Sequence, residues 1–136
     1  GNYEVRHAWL TEAFKHIKRS SNPDVKTHAF GCTILRLLEE FPITSADSAT
    51  WAIASAFGSI RLGDKSIPVS DRTQNKSTNI VNKSLAHQKA VNELGFTMQE
   101  VAEDPYARQV LTVRELKKWQ DNYVCRYKGL VKEDLW

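Results

Sequence analysis

The stretch Phe57-Gly58-Ser59-Ile60-Arg61-Leu62-Gly63-Asp64-Lys65-Ser66-Ile67 decides how this chain is read. Its start closes a strongly apolar helix, Arg61 stands between two aliphatic residues, and Gly63-Asp64 makes a sharp turn. Arginine is rarely buried without a partner. One that emerges from an apolar helix end at a tight turn is well placed to meet an acidic group. The other local reading is that Arg61 caps the preceding helix, where a cation suits the carbonyl-rich end. The local sequence leaves both open.

Upstream, Glu4 to Arg19 reads as a helix, with Val5, Trp9, Ala13 and Ile17 at four-residue spacing and Leu10 and Phe14 beside them. Ser20-Ser21-Asn22-Pro23-Asp24 is a break. Pro23 at a first helical position predicts a second helix to Glu40, with Val25, Ala29, Cys32 (or Thr33), Ile34, Leu37 and Leu38 on its apolar face, ended by Phe41-Pro42. Thr44, Ser45 or Asp47 is expected to cap a third helix through Gly58, with Trp51, Ile53, Ala54 and Phe57 as its apolar residues. Downstream, residues 63–77 read as a loop or irregular crossing in which Ile67-Pro68-Val69 allows a short strand. Ser77 or Thr78 is expected to cap a fourth helix, Asn79 to Leu94, and Gly95 stands where a left-handed C-terminal cap belongs. Thr97 and Glu100 form a capping box for a short helical turn before Pro105. Gln109-Val110-Leu111 allows a strand. Thr112 and Glu115 read as a second capping box, opening a last helix from Val113 to about Tyr127 with Leu116, Trp119, Tyr123 and Tyr127 on one stripe.

A chain of 136 residues suits one domain, 1–136. Its net charge of +3, with both signs mixed, is too weak a bias to argue for nucleic acid. The two cysteines, Cys32 and Cys125, are far apart and make no disulfide framework. A reducing intracellular compartment, cytoplasmic or nuclear, is therefore expected. No apolar run approaches the roughly 18 residues that span a bilayer, so no membrane partner is expected. Gly1-Asn2-Tyr3-Glu4 lacks the pattern of a signal peptide, and Gly1 looks like the start of a domain cut from a longer chain. His7, His16, His28 and His87 have no metal spacing, and no glycine loop suits a phosphate. Ser59 and Ser66 lack a nucleophile elbow, and Cys125 lacks a visible histidine partner. The expectation is no enzyme, no cofactor and no metal.

Two constellations remain. Val91 to Asp104 has the look of a helix-turn-helix, with Leu94-Gly95 and then Val101 six positions after the glycine. On that alternative the chain binds nucleic acid through residues 85–104 and the basic 72–89 and 114–132 segments. Against it, Glu100, Glu103 and Asp104 would face phosphates, which dominate DNA affinity, and Pro105 truncates the second helix.

The second constellation is an order of segments: Asn22-Pro23-Asp24 opening a Leu-rich helix, Phe57 to Ile67, Ala90-Val91-Asn92-Glu93-Leu94-Gly95-Phe96, and Leu111-Thr112-Val113-Arg114-Glu115-Leu116. In this order they resemble the PUB domain, also called PUG, of peptide:N-glycanase and several ubiquitin-pathway proteins, over a core of about 22–127. Asp64 stands where the family favours Asn and Ile67 where it favours Phe. The crossing between Arg61 and Gly95 is longer than usual. The resemblance implies an α+β fold, mostly helical: a helical bundle with a small two- or three-stranded antiparallel sheet. It also implies a peptide-binding adaptor that docks the acidic-aromatic C-terminal tail of a AAA ATPase of the valosin-containing protein type. By position, Arg61 would meet the tail's carboxylate, Gly95 and Phe96 would wall the pocket for its aromatic ring, and Phe57 would support it, with Asp64 beside Arg61. A third possibility is an interaction or structural module with no peptide groove.

Overall fold

The apolar positions of the N-terminal run wind one face of a helix, α1, Asn2–Arg19, which ends where Ser20 turns its own N–H and hydroxyl back onto the Ile17 carbonyl. The computed structural model describes residues 2–32, 34–70 and 84–129. It divides into two compact units, Gly1–Asp47 with the segment from Val124 onward, and Ser48–Tyr123. The PUB-like core expected over about 22–127 takes in parts of both. Helix makes up 55% of the described residues and the strands form two pairs, so the fold class is α+β and mostly helical.

In the first unit, Phe14, Leu10 and Ile17 of α1 face the core, while Val5 and Trp9 of the same apolar stripe lie exposed. The helix expected from Pro23 to Glu40 does not form over its first half. The Val25 N–H donates to the Asn22 carbonyl, which puts Pro23 at the second position of a turn, a place its fixed φ suits as well as a helix start. The backbone then pairs with a later segment instead of with itself. The Thr27 carbonyl accepts from the Thr44 and Ser45 N–H groups, and β1, His28–Ala29, runs parallel to β2, Ser45–Ala46. Gly31 has a φ of 62°, which no right-handed helix accommodates. Helix starts only at α2, Leu35–Glu40, and stops at Phe41-Pro42 as expected. Ser45, expected as a cap, is thus a strand residue. Phe14, Leu37 and Phe41 form the buried centre, and Tyr127 packs its ring 6.0 Å from that of Phe14.

Charges gather at the C-terminal end of α2. The Glu40 carboxylate accepts from the Tyr3 hydroxyl at 2.5 Å and from Arg36 Nε at 2.8 Å, and Arg36 lies over the Tyr3 ring. Burial works against the charge on Glu40. The hydrogen bonds from Tyr3 and Arg36 outweigh it and hold the carboxyl below its ordinary range. Burial, then the bond to that carboxylate, pushes the Tyr3 phenol up. Glu39 pairs with Arg126.

In the second unit, α3 spans Thr50–Ala56, shorter than expected because the preceding residues pair in β2; the Ser48 hydroxyl accepts from the Thr50 N–H. Ile53 and Phe57, two of its apolar residues, are exposed, and the side chain of α3 that is fully buried is Ser55. Arg61 does not close a helix. It lies in β3, Ser59–Leu62, which pairs antiparallel with β4, Lys65–Pro68, matching Arg61 to Ser66 and Leu62 to Lys65. Gly63 has a φ of 60° and Asp64 does not have a positive one, the pattern of a two-residue hairpin turn with glycine first.

Three helices follow: α4, Leu85–Glu93; α5, Met98–Glu103; and α6, Pro105–Asp121. Ser84 has an extended backbone, so α4 begins later than the Asn79 start expected; residues 71–83, with the caps expected at Ser77 or Thr78, lie outside the described residues. The strand allowed at Gln109-Val110-Leu111 is helix. Asp104 caps α6 by accepting from the Tyr106 N–H, with Pro105 as the first helical residue. That places Thr112 and Glu115 inside α6 and not at its start. The helix ends at Asp121, so Tyr127 belongs to the first unit and Trp119 stacks edge-on with Tyr123 at 5.4 Å. Ile60, Ile67 and Val69 of the hairpin meet Val91, Val101, Ala107 and Leu111 in a closed core.

Candidate functional site

Two side chains of α6 reach the backbone of β3. Thr112 Oγ1 accepts from the Arg61 N–H at 3.2 Å, and Glu115 Oε1 accepts from the Gly63 N–H at 3.1 Å. The strand is thereby fixed against the helix, and the turn residues are held with it. Arg61 leaves the hairpin on the face opposite Ile60 and Leu62, because strand side chains alternate. Its Nε donates to the Gly63 carbonyl at 2.9 Å and its Nη2 to Asp64 Oδ1 at 3.0 Å; the side chain is only 13% exposed. Of the two readings open for Arg61, helix cap and acid-binding, the geometry keeps the second. The acid it meets is Asp64 of its own turn. Phe57 follows α3 as its C-cap and is 78% exposed.

Gly95 and Phe96 end α4. Gly95 has a φ of 91°; its N–H donates to the Asn92 carbonyl and the Phe96 N–H to the Val91 carbonyl. These are the two bonds of a Schellman cap, and Phe96 folds back onto the core that holds Val91. The left-handed cap expected at Gly95 is present. The guanidinium above this cap is that of Arg114. Its Nη1 donates to the Leu94 carbonyl at 2.8 Å, and its central carbon lies 4.9 Å from the Phe96 ring centre. A Cβ on Gly95 would come within 2.8 Å of Nη1, so the glycine is also what lets the arginine settle there. The structure thus puts Arg114 where the reading by position expected Arg61. No local pattern pairs Arg114 with Gly95; they meet because α6 passes the end of α4.

A second arginine escaped the sequence reading. Arg108, 4% exposed, donates from Nε to the Ser55 carbonyl at 2.7 Å and from Nη1 to the Val101 and Ala102 carbonyls at 2.9 and 3.2 Å. Those carbonyls lie at the C-terminal ends of α3 and α5, where a cation is favoured.

Val91 to Asp104 does form a helix, a glycine-capped turn and a second helix, with Val101 fully buried. Yet α5 has six residues, and Gln99, Glu100 and Glu103 are what it exposes. Glu100 serves the capping box with Thr97, as expected. Residues 72–83 and 130–132 of the basic segments lie outside the described residues. Among the described residues no group of histidine, cysteine and carboxylate side chains suits a metal ion, and no helix is long and apolar enough to cross a membrane. No protein-family model, curated protein or solved structure matches the chain.

Proposed function

We propose that the chain is a peptide-binding adaptor, acting by recognition and not by catalysis, and that it receives an acidic, aromatic-bearing segment at the Arg114-Phe96-Gly95 corner of the second unit. The observation that carries this reading is the state of Arg114. Its guanidinium is exposed, laid over Phe96 and tied by one N–H to the Leu94 carbonyl; among the described residues it makes no ion pair. A planar guanidinium held in place by a ring is prepared for a carboxylate, since less rotamer freedom is lost on binding. Arg61, engaged with Asp64, would have to exchange one carboxylate for another. The PUB resemblance makes the acidic-aromatic C-terminal tail of a AAA ATPase of the valosin-containing protein type the first segment to try, and the ubiquitin and protein-quality-control pathway the setting.

Calorimetric titration with such a tail peptide tests this. Wild type should bind, and Arg114→Ala should lose about 2 kcal/mol, the size typical of a hot-spot arginine. Arg61→Ala should lose less. No heat with wild type, or equal affinity in Arg114→Ala, removes the proposal.

A further inference from the structure

The first unit leaves a groove of about 570 Å³ between α1 and the segment from Thr27 to Cys32. Phe14, Leu37 and Ile43 are at its floor. Along α1 it runs from Val5 to Ile17, about 18 Å at 1.5 Å per residue. Its lips are large apolar side chains turned to water: Val5 is 70% exposed, Trp9 69% and Phe30 83%. Contiguous exposed apolar surface of this kind marks an interaction site.

The lips and the charge decide what fits. An occupant confined to the cavity, such as a small apolar molecule, would leave Trp9 and Phe30 wet. Covering both lips takes a body wider than the groove, and an α-helix with its side chains is about 10 Å across. The lining holds Arg6 and His28 and no carboxylate. His28 faces Ser45 Oγ, 2.8 Å from Nδ1, and Asp47, 3.6 Å from Nε2. Arg6 is therefore the fixed charge of the lining, and a guanidinium has five donors with which to take a further carboxylate.

We propose that this groove docks an amphipathic α-helix of a partner protein, its apolar stripe seated across Trp9 and Phe30 and one carboxylate at the border of that stripe against Arg6. This site is separate from the Arg114 corner and stands or falls without it. Helix-in-groove recognition reads anchors at i, i+3 or i+4, and i+7, and the length along α1 accommodates that spacing.

Peptides of about 16 residues displayed on phage, selected against the full chain, supply the probe. Enriched sequences should carry apolar anchors at that spacing with an Asp or Glu beside them, and gain helicity on binding. Trp9→Ser and Phe30→Ser, both at exposed positions, should melt as wild type does and weaken binding about tenfold or more. Arg6→Glu should weaken binding too, and exchanging the peptide's acid for Lys should restore it. Arg114→Ala should change nothing. The proposal is overturned if no such pattern is enriched, if binding survives Trp9→Ser and Phe30→Ser, or if the charge exchange does not restore it. It is also overturned if sedimentation shows a dimer that Trp9→Ser dissolves, which makes a second copy the occupant. Dodecanoate shifting the groove amides where the peptides do not would give the site to a small ligand instead.

Discussion

The two units differ in the polar side chains that take part in their packing. In the first, they pair at the surface: Arg36 with Glu40, Arg126 with Glu39, Tyr3 with Glu40. In the second, Ser55, Arg108 and Thr112 are buried; Ser55 donates to the Trp51 carbonyl of its own helix, while Arg108 and Thr112 bond backbone groups of other segments. Exposed ion pairs contribute only about 0–1 kcal/mol each. Buried hydrogen bonds are costly to leave half made, so they fix one arrangement of the elements. The second unit is accordingly closed around Ile60, Val91, Val101 and Leu111. The first has Leu37 as its largest fully buried side chain and keeps apolar surface uncommitted. Rigidity and an open groove are divided between two regions of one short chain.

The strongest way to break this contrast is Arg108→Ala. It strips three carbonyls of a donor at once, and the second unit should lose about 3 kcal/mol, within the range for uncompensated buried polar groups. Amide exchange at Leu111 should speed up by about two orders of magnitude. Unchanged protection there would mean the buried arginine is dispensable. A smaller loss, about 1–2 kcal/mol, is expected of Gly95→Ala, because alanine resists the left-handed backbone and its methyl displaces Arg114. Urea unfolding measures it, and an unshifted midpoint would refute it. The smallest effect belongs to the first unit. Glu40 is held below its ordinary range when folded, so its contribution is present above the unfolded value of about 4.3 and lost as pH falls through the folded one. Melting temperature followed from pH 7 to pH 3 should fall more in wild type than in Glu40→Gln. Parallel curves would show that the carboxylate network does not matter to stability.

What could be read from the letters alone was mostly punctuation. Gly63-Asp64 marked a turn, Phe41-Pro42 a helix end, Gly95 a left-handed cap, and each does that. The failures share a cause. Residues 23–34 have a helical spacing of apolar residues, but the backbone groups of Thr27, Ala29 and Gly31 pair with residues 44–47, and nothing local announces a partner that far away. Thr97-Glu100 and Thr112-Glu115 are the same pattern in sequence. The first caps a helix, whereas the second lies in the interior of one and reaches across to β3. The distinguishing signal was present: Asp104-Pro105, a side-chain cap followed by proline at the first helical position, already starts the helix. Of the expected site, Gly95 and Phe96 were legible as a cap. Arg114 was not, because its place depends on how α6 returns past α4.

The grip of Thr112 and Glu115 on β3 also bears on what the chain avoids in a crowded solution. A two-stranded sheet offers two open edges on which another copy could add a strand. On the β3 edge, the N–H groups of Arg61 and Gly63 are already occupied. On the β4 edge, alternation along the ladder turns the main-chain nitrogen of Pro68 outward, and proline has no hydrogen there to give. Three outward main-chain nitrogens, of Arg61, Gly63 and Pro68, are thus withheld from an incoming strand, which makes the hairpin a poorer template for its neighbours.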